Sequence, residues 1–257
     1  AQALWMGTFH SIFARILRYE SSYLGYNSNF TIYDTADSKN LLKSIIKEKK
    51  LDEKVYKTGQ ILGRISRAKN NLILPAAYVN NAQYFNNDQA QRIPYTGEIY
   101  TKYMQRCKIA DAMDFDDLLL NTNILFRDHQ DVLTKYQSKF DFILVDEYQD
   151  TNFAQYLIIK KLVETHHNIC VVGDDSQSIY GFRGAKIENI LNFQRDYPNL
   201  KIFKLEHNYR STQNIVNAAS SEISHNEKQL PKNIFTENDP GEKVNVIKAV
   251  TELEEGN

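Results

Sequence analysis

An α/β fold built on a parallel sheet is what this sequence predicts, on three observations. Phe142-Ile143-Leu144-Val145 and Ile169-Cys170-Val171-Val172 are short runs apolar at every position, the pattern of strands buried on both faces. Each runs directly into a polar, turn-like cluster, Asp146-Glu147 after the first and Gly173-Asp174-Asp175 after the second. Helical spacing of Phe153, Tyr156, Leu157 and Leu162 separates the two, so strand and helix alternate.

Taken in order, the chain opens with a helix whose apolar residues Phe9, Ile12, Phe13, Ile16 and Leu17 share one face, with Thr8 as its N-cap. A short apolar segment follows at Phe30 to Tyr33. From Thr35 to Ala110 the pattern is purely helical, with stripes at Leu41, Leu42, Ile45 and Ile46, at Ile61, Leu62, Ile65 and Ala68, and at Ile99, Tyr100, Tyr103, Met104 and Cys107. Between the last two stripes, Asn80 to Gln91 reads as a surface loop. Asp114-Phe115-Asp116-Asp117 starts another helix, Asp114 and Asp117 standing at capping-box spacing. After the two strands come a helix from about Ala185 to Arg195, a third strand at Lys201 to Leu205, a helix capped by Ser211, and a last alternating strand at Val244 to Ile247.

Composition excludes several classes. The 257 residues are 42% hydrophobic and 25% charged, ordinary for a soluble globular protein with ample material for a core. No apolar run reaches membrane-spanning length and no export signal is visible, so a cytoplasmic protein without a membrane partner is expected. Cys107 and Cys170 are far apart, and Cys170, within its apolar run, reads as a small buried hydrophobe. His166-His167 reads as a solvated loop, and no zinc spacing exists. The net charge of −1 conceals an asymmetry: Lys39 to Lys69 holds ten Lys or Arg against three acids. That density suits either a phosphate-backbone surface or the solvated face of amphipathic helices.

Chemistry concentrates at the strand ends, where ligands bind in open α/β sheets. Two adjacent carboxylates there are costly to desolvate without a cation or donors. Asp146 can hold Mg²⁺ against nucleotide phosphates and Glu147 can orient or deprotonate a water, or the pair can simply cap the next helix. Asp146-Glu147-Tyr148-Gln149-Asp150-Thr151, the stretch from Gly173 to Ala185, and Glu206-His207-Asn208-Tyr209-Arg210-Ser211-Thr212 are three polar clusters predicted to converge on one sheet edge. Acids, a glutamine, exposed aromatics and arginines in one cleft are the inventory of a phosphoryl-transfer site.

Those clusters, with Gly7-Thr8-Phe9-His10-Ser11 and Asp114-Phe115-Asp116-Asp117-Leu118-Leu119, resemble in order and spacing the UvrD/PcrA/Rep group of superfamily 1 DNA helicases. The resemblance implies coupling of ATP hydrolysis to 3′-to-5′ movement on single-stranded DNA, with ATP and Mg²⁺ as cofactors and single-stranded DNA and single-strand/duplex junctions as partners. It implies a RecA-like parallel sheet of the P-loop NTPase type with an inserted all-helical subdomain. On that pattern residues 1–30 and 111–206 form a partial first RecA-like domain, 31–110 the helical subdomain, and 207–257 the start of a second RecA-like domain. By the same resemblance Asp146 is the metal-holding acid and Glu147 activates the hydrolytic water. Gln177 senses the γ-phosphate, Arg210 reaches it, and Tyr209 packs on adenine. Thr8 and His10 contact the DNA backbone, Tyr180 and Phe182 stack on bases, and Arg183 bridges the two sites. The bland readings, of Phe182 as core, Arg210 as a surface ion pair and His10 as a helix-start residue, remain alongside. Base stacking itself tolerates any sequence, which suits a motor.

One departure stands out. None of the ten glycines is followed by lysine, so the chain carries no Gly-Lys-Thr/Ser phosphate loop. The resemblance thus implies an incomplete sheet and an internal segment of a helicase, expected to lack ATPase activity alone. A strand edge left unpaired by the missing loop strand is expected to promote self-association.

Overall fold

The computed structural model describes residues 4–181, 184–227, 229–248 and 250–251, and divides into two compact units, Ala1–Gly173 with Ser178–Asn189, and Asp174–Gln177 with Ile190–Asn257. Phe182 and Arg183 lie outside the described residues.

In the first unit, α1 (Phe9–Tyr19) starts where the Thr8 side chain accepts the Ser11 N–H, and it buries Phe13, Ile16 and Leu17. A three-residue parallel ladder then joins β1 (Thr31–Tyr33) to β2 (Ala112–Asp114), with Thr31 opposite Ala112. The chain leaves this ladder at Tyr33 and returns to it at Ala112. The elements between are all helices: α2 (Thr35–Glu48), α3 (Thr58–Asn70), α4 (Pro75–Val79), α5 (Ala82–Ala90) and α6 (Thr96–Ile109). Their apolar stripes close around Leu42, Ile45, Ile61, Ile65, Tyr100 and Tyr103.

From β2 the chain enters α7 (Phe115–Asp128) through the expected capping box. Asp114 accepts the Asp117 N–H at 2.8 Å and Asp117 accepts the Asp114 N–H at 3.1 Å. Then follow α8 (Gln130–Lys139), β3 (Ile143–Val145), α9 (Phe153–Val163) and β4 (Ile169–Val171). Strands β3 and β4 pair in parallel, Ile143 with Ile169. Helices α1, α7, α8 and α9 share a second core, including Phe13, Leu17, Leu118, Phe126, Tyr136 and Ile158. Full burial of such side chains contributes about 1.5–3 kcal/mol each.

Beyond β4 are short helices α10 (Glu188–Leu191) and α11 (Phe193–Asp196), then α12 (Gln213–Ile223).

Several expectations need correction. Asn80 to Gln91 is no loop: α5 occupies it, because Asn81 accepts the Gln83 and Tyr84 N–H groups as an N-cap. The helix foreseen from Ala185 to Arg195 is two short ones, interrupted at Asn192. Among the described residues, Lys201 to Leu205 and Val244 to Ile247 form no ladder, and a single bridge, His207 with Phe235, appears nearby. Helix α12 begins after Thr212, not Ser211, and without a side-chain cap bond. Strand β3 is not buried on both faces, since Leu144 is 76% exposed, and Cys170 is exposed rather than buried. Apolar sequence marks surface that needs a cover; it does not supply one.

Candidate active site

Beyond β3 the chain turns sharply. Glu147 has φ 50°, the left-handed region that a residue with a Cβ enters only at a cost. Strand β4 grips the turn from both sides: Val172 N–H donates to the Val145 carbonyl at 2.8 Å, and Tyr148 N–H to the Val172 carbonyl at 2.9 Å. Tyr148, Gln149 and Thr151 are buried beneath, and the two acids are left facing solvent. Strain of this kind, of order 1–3 kcal/mol, collects at functional sites. Being exposed, Asp146 and Glu147 escape the desolvation expected of them.

Each carboxylate is oriented. Asp146 Oδ1 accepts the Glu147 N–H at 3.0 Å, and Glu147 Oε2 accepts from the buried Gln149 amide at 2.7 Å. Asp150 Oδ1 is buried with no hydrogen-bond partner, and burial, then the charge of Glu147, raises the Asp150 carboxyl above its ordinary value. Among the described residues no cluster of three or more metal-ligating side chains occurs. Mg²⁺ in nucleotide sites takes one or two carboxylates and fills the rest of its shell with phosphate and water oxygens. Asp146 therefore fits such a shell, and Asp150 shares its wall.

That wall belongs to an open groove of about 500 Å³, lined among others by Thr8, His10, Phe142, Leu144, Asp146 and Glu147. The N-terminal helix and the strand end thus meet here. Gly7 lies close against the first turn of α1, where a Cβ on it would come within 2.5 Å of Ser11 Oγ. His10 packs its ring edge-on against Phe115, centroids 5.6 Å apart. Burial lowers its imidazole below the ordinary value, opposed by the charge of Asp116.

A polar clasp that sequence reasoning missed joins the acidic turn to the helical cluster. Asn152 caps α9, accepting the Gln155 N–H at 2.9 Å, and donates to Asn70 Oδ1 at 2.8 Å. Asn70, at the end of α3, donates in turn to Asp116 at 2.9 Å. No sequence signal connects residues so far apart. The adjoining Lys69 is fully buried against Asp114 and Asp117, so it is lost to the basic surface counted from Lys39 onward.

Tyr180 lies in the first unit, 37% exposed, on a turn that closes with the Ala185 N–H donating to its carbonyl. Gly184 there has φ 89°, reserved for residues without a Cβ. Gln177, Tyr209 and Arg210 belong to the second unit. The Gln177 amide donates to Asp174 Oδ2 at 2.8 Å, and Lys232 pairs with both Asp174 and Asp175. Burial pushes the Asp174 carboxyl up, but the Lys232 ammonium and the Gln177 amide hold it below the ordinary range. Tyr209 is 80% exposed and Arg210 is exposed beside it. Asn208 Oδ1 shapes their turn, accepting the Arg210 N–H at 2.9 Å and the Ser211 N–H at 2.8 Å.

The UvrD/REP helicase N-terminal domain matches residues 1–198, and the UvrD-like helicase C-terminal domain matches residues 203–257. The chain belongs to the UvrD/REP helicase family. Among its relatives are the ATP-dependent DNA helicases PcrA of Leuconostoc citreum and of Bacillus subtilis (strain 168), each 45% identical over 257 and 256 residues respectively. A third, PcrA of Staphylococcus epidermidis, is 45% identical over 255 residues. These alignments cover 99–100% of this chain but 34% of each relative, so the chain spans about a third of their length. The two polar clusters after β3 and β4 fall in the UvrD/REP N-terminal match, and the one around Tyr209 and Arg210 in the UvrD-like C-terminal match. No helix among the described residues is long and apolar enough to cross a membrane.

Proposed function

We propose that this chain forms part of an ATP-dependent DNA helicase that moves 3′-to-5′ on single-stranded DNA and opens single-strand/duplex junctions in repair or replication, in the cytoplasm. The observation that carries the reading is the shared groove. The oriented carboxylates of Asp146 and Glu147 stand on one wall, and Thr8 and His10 on another. Mg²⁺-ATP, when bound, supplies the phosphoanhydride whose hydrolysis drives movement. Asp146 would hold the metal, and Glu147, fixed by Gln149, would take the proton of the attacking water. Gln177 and Arg210 answer to the γ-phosphate, and Tyr209 offers its exposed ring to adenine. Thr8 and His10 take the DNA backbone, Tyr180 and Phe182 its bases, and Arg183 links the sites.

In architecture, residues 1–30 and 111–206 serve as part of a RecA-like domain, 31–110 as its helical subdomain, and 207–257 as the start of a second RecA-like domain. The β1–β2 ladder supports this, because it brings the two ends of the helical stretch together.

Binding of this chain to oligo-dT tests the DNA half directly. Affinity is expected to fall steeply with salt and to drop with Tyr180→Ala and Phe182→Ala. Equal affinity of the variants and the unaltered chain would refute the assignment.

A further inference from the structure

In the second unit three rings stand in a column: Phe235 against His207, nearly parallel at 15° with centroids 4.8 Å apart, and His207 against Tyr209, tilted by 34°, at 4.0 Å. The backbone builds the column. Residues 207 and 235 form a parallel bridge, Asn208 N–H donates to the Phe235 carbonyl at 2.7 Å, and Phe235 N–H to the Glu206 carbonyl at 2.9 Å. The Glu206 side chain also holds the segment opposite, accepting the Asn233 N–H at 2.6 Å. Beyond His207 the column ends at Tyr209, whose ring is 80% exposed.

We infer that His207 is a positioning residue: backed by Phe235, it holds the Tyr209 ring as a preformed platform for a purine base. This rests on the reading of Tyr209 as the adenine platform and deepens it. An exposed tyrosine with nothing behind it samples several rotamers, and a base that stacks on it must bear the cost of stopping them. A ring already stacked from behind has lost that freedom before the ligand arrives. The imidazole suits the place, being flat and small enough to fit between two larger rings. Because Asn208, the next residue, forms the turn that carries Arg210, the same short segment sets a base platform and a cation at adjacent positions. A nucleoside triphosphate presents those two features, an aromatic base and an anionic tail.

Aromatic NMR of this chain, titrated with millimolar ATP, tests the inference. The Tyr209 ring protons are expected to be displaced by the ring current of His207, to return toward free-tyrosine positions in His207→Ala, and to stay displaced in His207→Phe. ATP is expected to perturb Tyr209 in the unaltered chain, with affinity roughly three- to tenfold weaker in His207→Ala and restored in His207→Phe. Phe235→Leu, which removes only the backing ring, should weaken ATP in the same direction. Tyr209 shifts unchanged by His207→Ala would overturn the column. Shifts lost with ATP affinity unaltered would overturn the positioning role while leaving Tyr209 as the platform. Failure of ATP to perturb Tyr209 in the unaltered chain would remove the platform reading itself, and this inference with it.

Discussion

The ammonium of Lys69 lies 2.7 Å from a carboxylate oxygen of Asp114, with the lysine side chain wholly shut off from solvent and the aspartate 7% exposed. Lys69 lies in the last turn of α3 and Asp114 ends β2, so the pair ties the helical cluster to the start of α7. Tyr103 adds its hydroxyl to the same oxygen at 2.8 Å. Removing the cation leaves two buried carboxylates without their counter-charge. Lys69→Met is expected to cost about 3–5 kcal/mol of stability, read as a lowered urea midpoint. Stability within 1 kcal/mol of the unaltered chain would show that the pair does not tie the two parts together.

Asp117 shares that lysine less well. Its Oδ1 is 2.8 Å from Lys69 Nζ yet makes no aligned hydrogen bond. Burial, reinforced by the charge of Asp114, pushes its carboxyl up to about 7. In the unfolded chain the same group ionises near pH 4. Between those values the folded state keeps a proton that the unfolded state has released, so this group's contribution to stability shrinks as pH rises from about 4 to 7. Asp114 acts in the opposite sense, since Lys69 outweighs burial and holds it low; its contribution is present above the unfolded value and lost as pH falls through the folded one. Denaturation of the unaltered chain and of Asp117→Asn across pH separates the two. The stability difference between them is expected to move against the unaltered chain from pH 4 to 7 and to level off above; a flat difference would place Asp117 in an ordinary environment.

What was legible in the sequence was local. The Thr8 cap, the Asp114–Asp117 box and the acidic turn after the first apolar run follow from residues within a few positions of each other, and the parallel pairing of the two runs follows from the helix between them. What was illegible depended on partners. A charge count placed Lys69 on a basic surface because it cannot see carboxylates 45 residues away. Likewise α5 looked like a loop from its Asn and Gln content, yet Asp88 anchors it to Arg64 and Tyr78. Strand patterns at 201–205 and 244–247 stated a preference that no neighbouring ladder satisfies. In the candidate site the carboxylates were plain, but the support of Glu147 by the Gln149 amide and the bond from Asn152 to the distant Asn70 are contacts that no sequence pattern states.

Strand β3 pairs with β4 on one side, and among the described residues its other side has no ladder partner. Phe142 is 71% and Leu144 76% exposed on the groove wall. A bare apolar edge recruits other chains. Light scattering at high concentration is expected to show self-association, reduced by Leu144→Lys. A clean monomer would count against it.

With no Gly-Lys pair anywhere in its sequence, the chain carries no phosphate loop of the kind whose backbone N–H groups and lysine cradle β- and γ-phosphates. Carboxylates alone cannot hold a triphosphate in line for attack. DNA-stimulated ATP turnover by this polypeptide is therefore expected to be negligible in a phosphate-release assay. Turnover matching an intact helicase, and abolished by Glu147→Gln, would mean that other residues supply the cradle.

Lys232 governs how Gln177 is presented within the second unit. Its ammonium bridges Asp174 and Asp175, the latter at 3.0 Å, while Asp174 receives the Gln177 amide and Asp175 receives the Leu230 N–H at 2.8 Å. Without the cation, two adjacent carboxylates repel and the short helical turn Asp175–Gln177 loses what fastens it to residues 230–232. Because Lys232 is only 19% exposed, water replaces the bridge poorly. Hydrogen exchange at the Ser176 and Gln177 amides, which bond to Asp174, is expected to quicken roughly two- to tenfold in Lys232→Ala. Lys232→Arg, which keeps the charge, should restore most of the protection. Unchanged exchange in Lys232→Ala would mean that the backbone of the turn, and not the bridge, holds Gln177 in place.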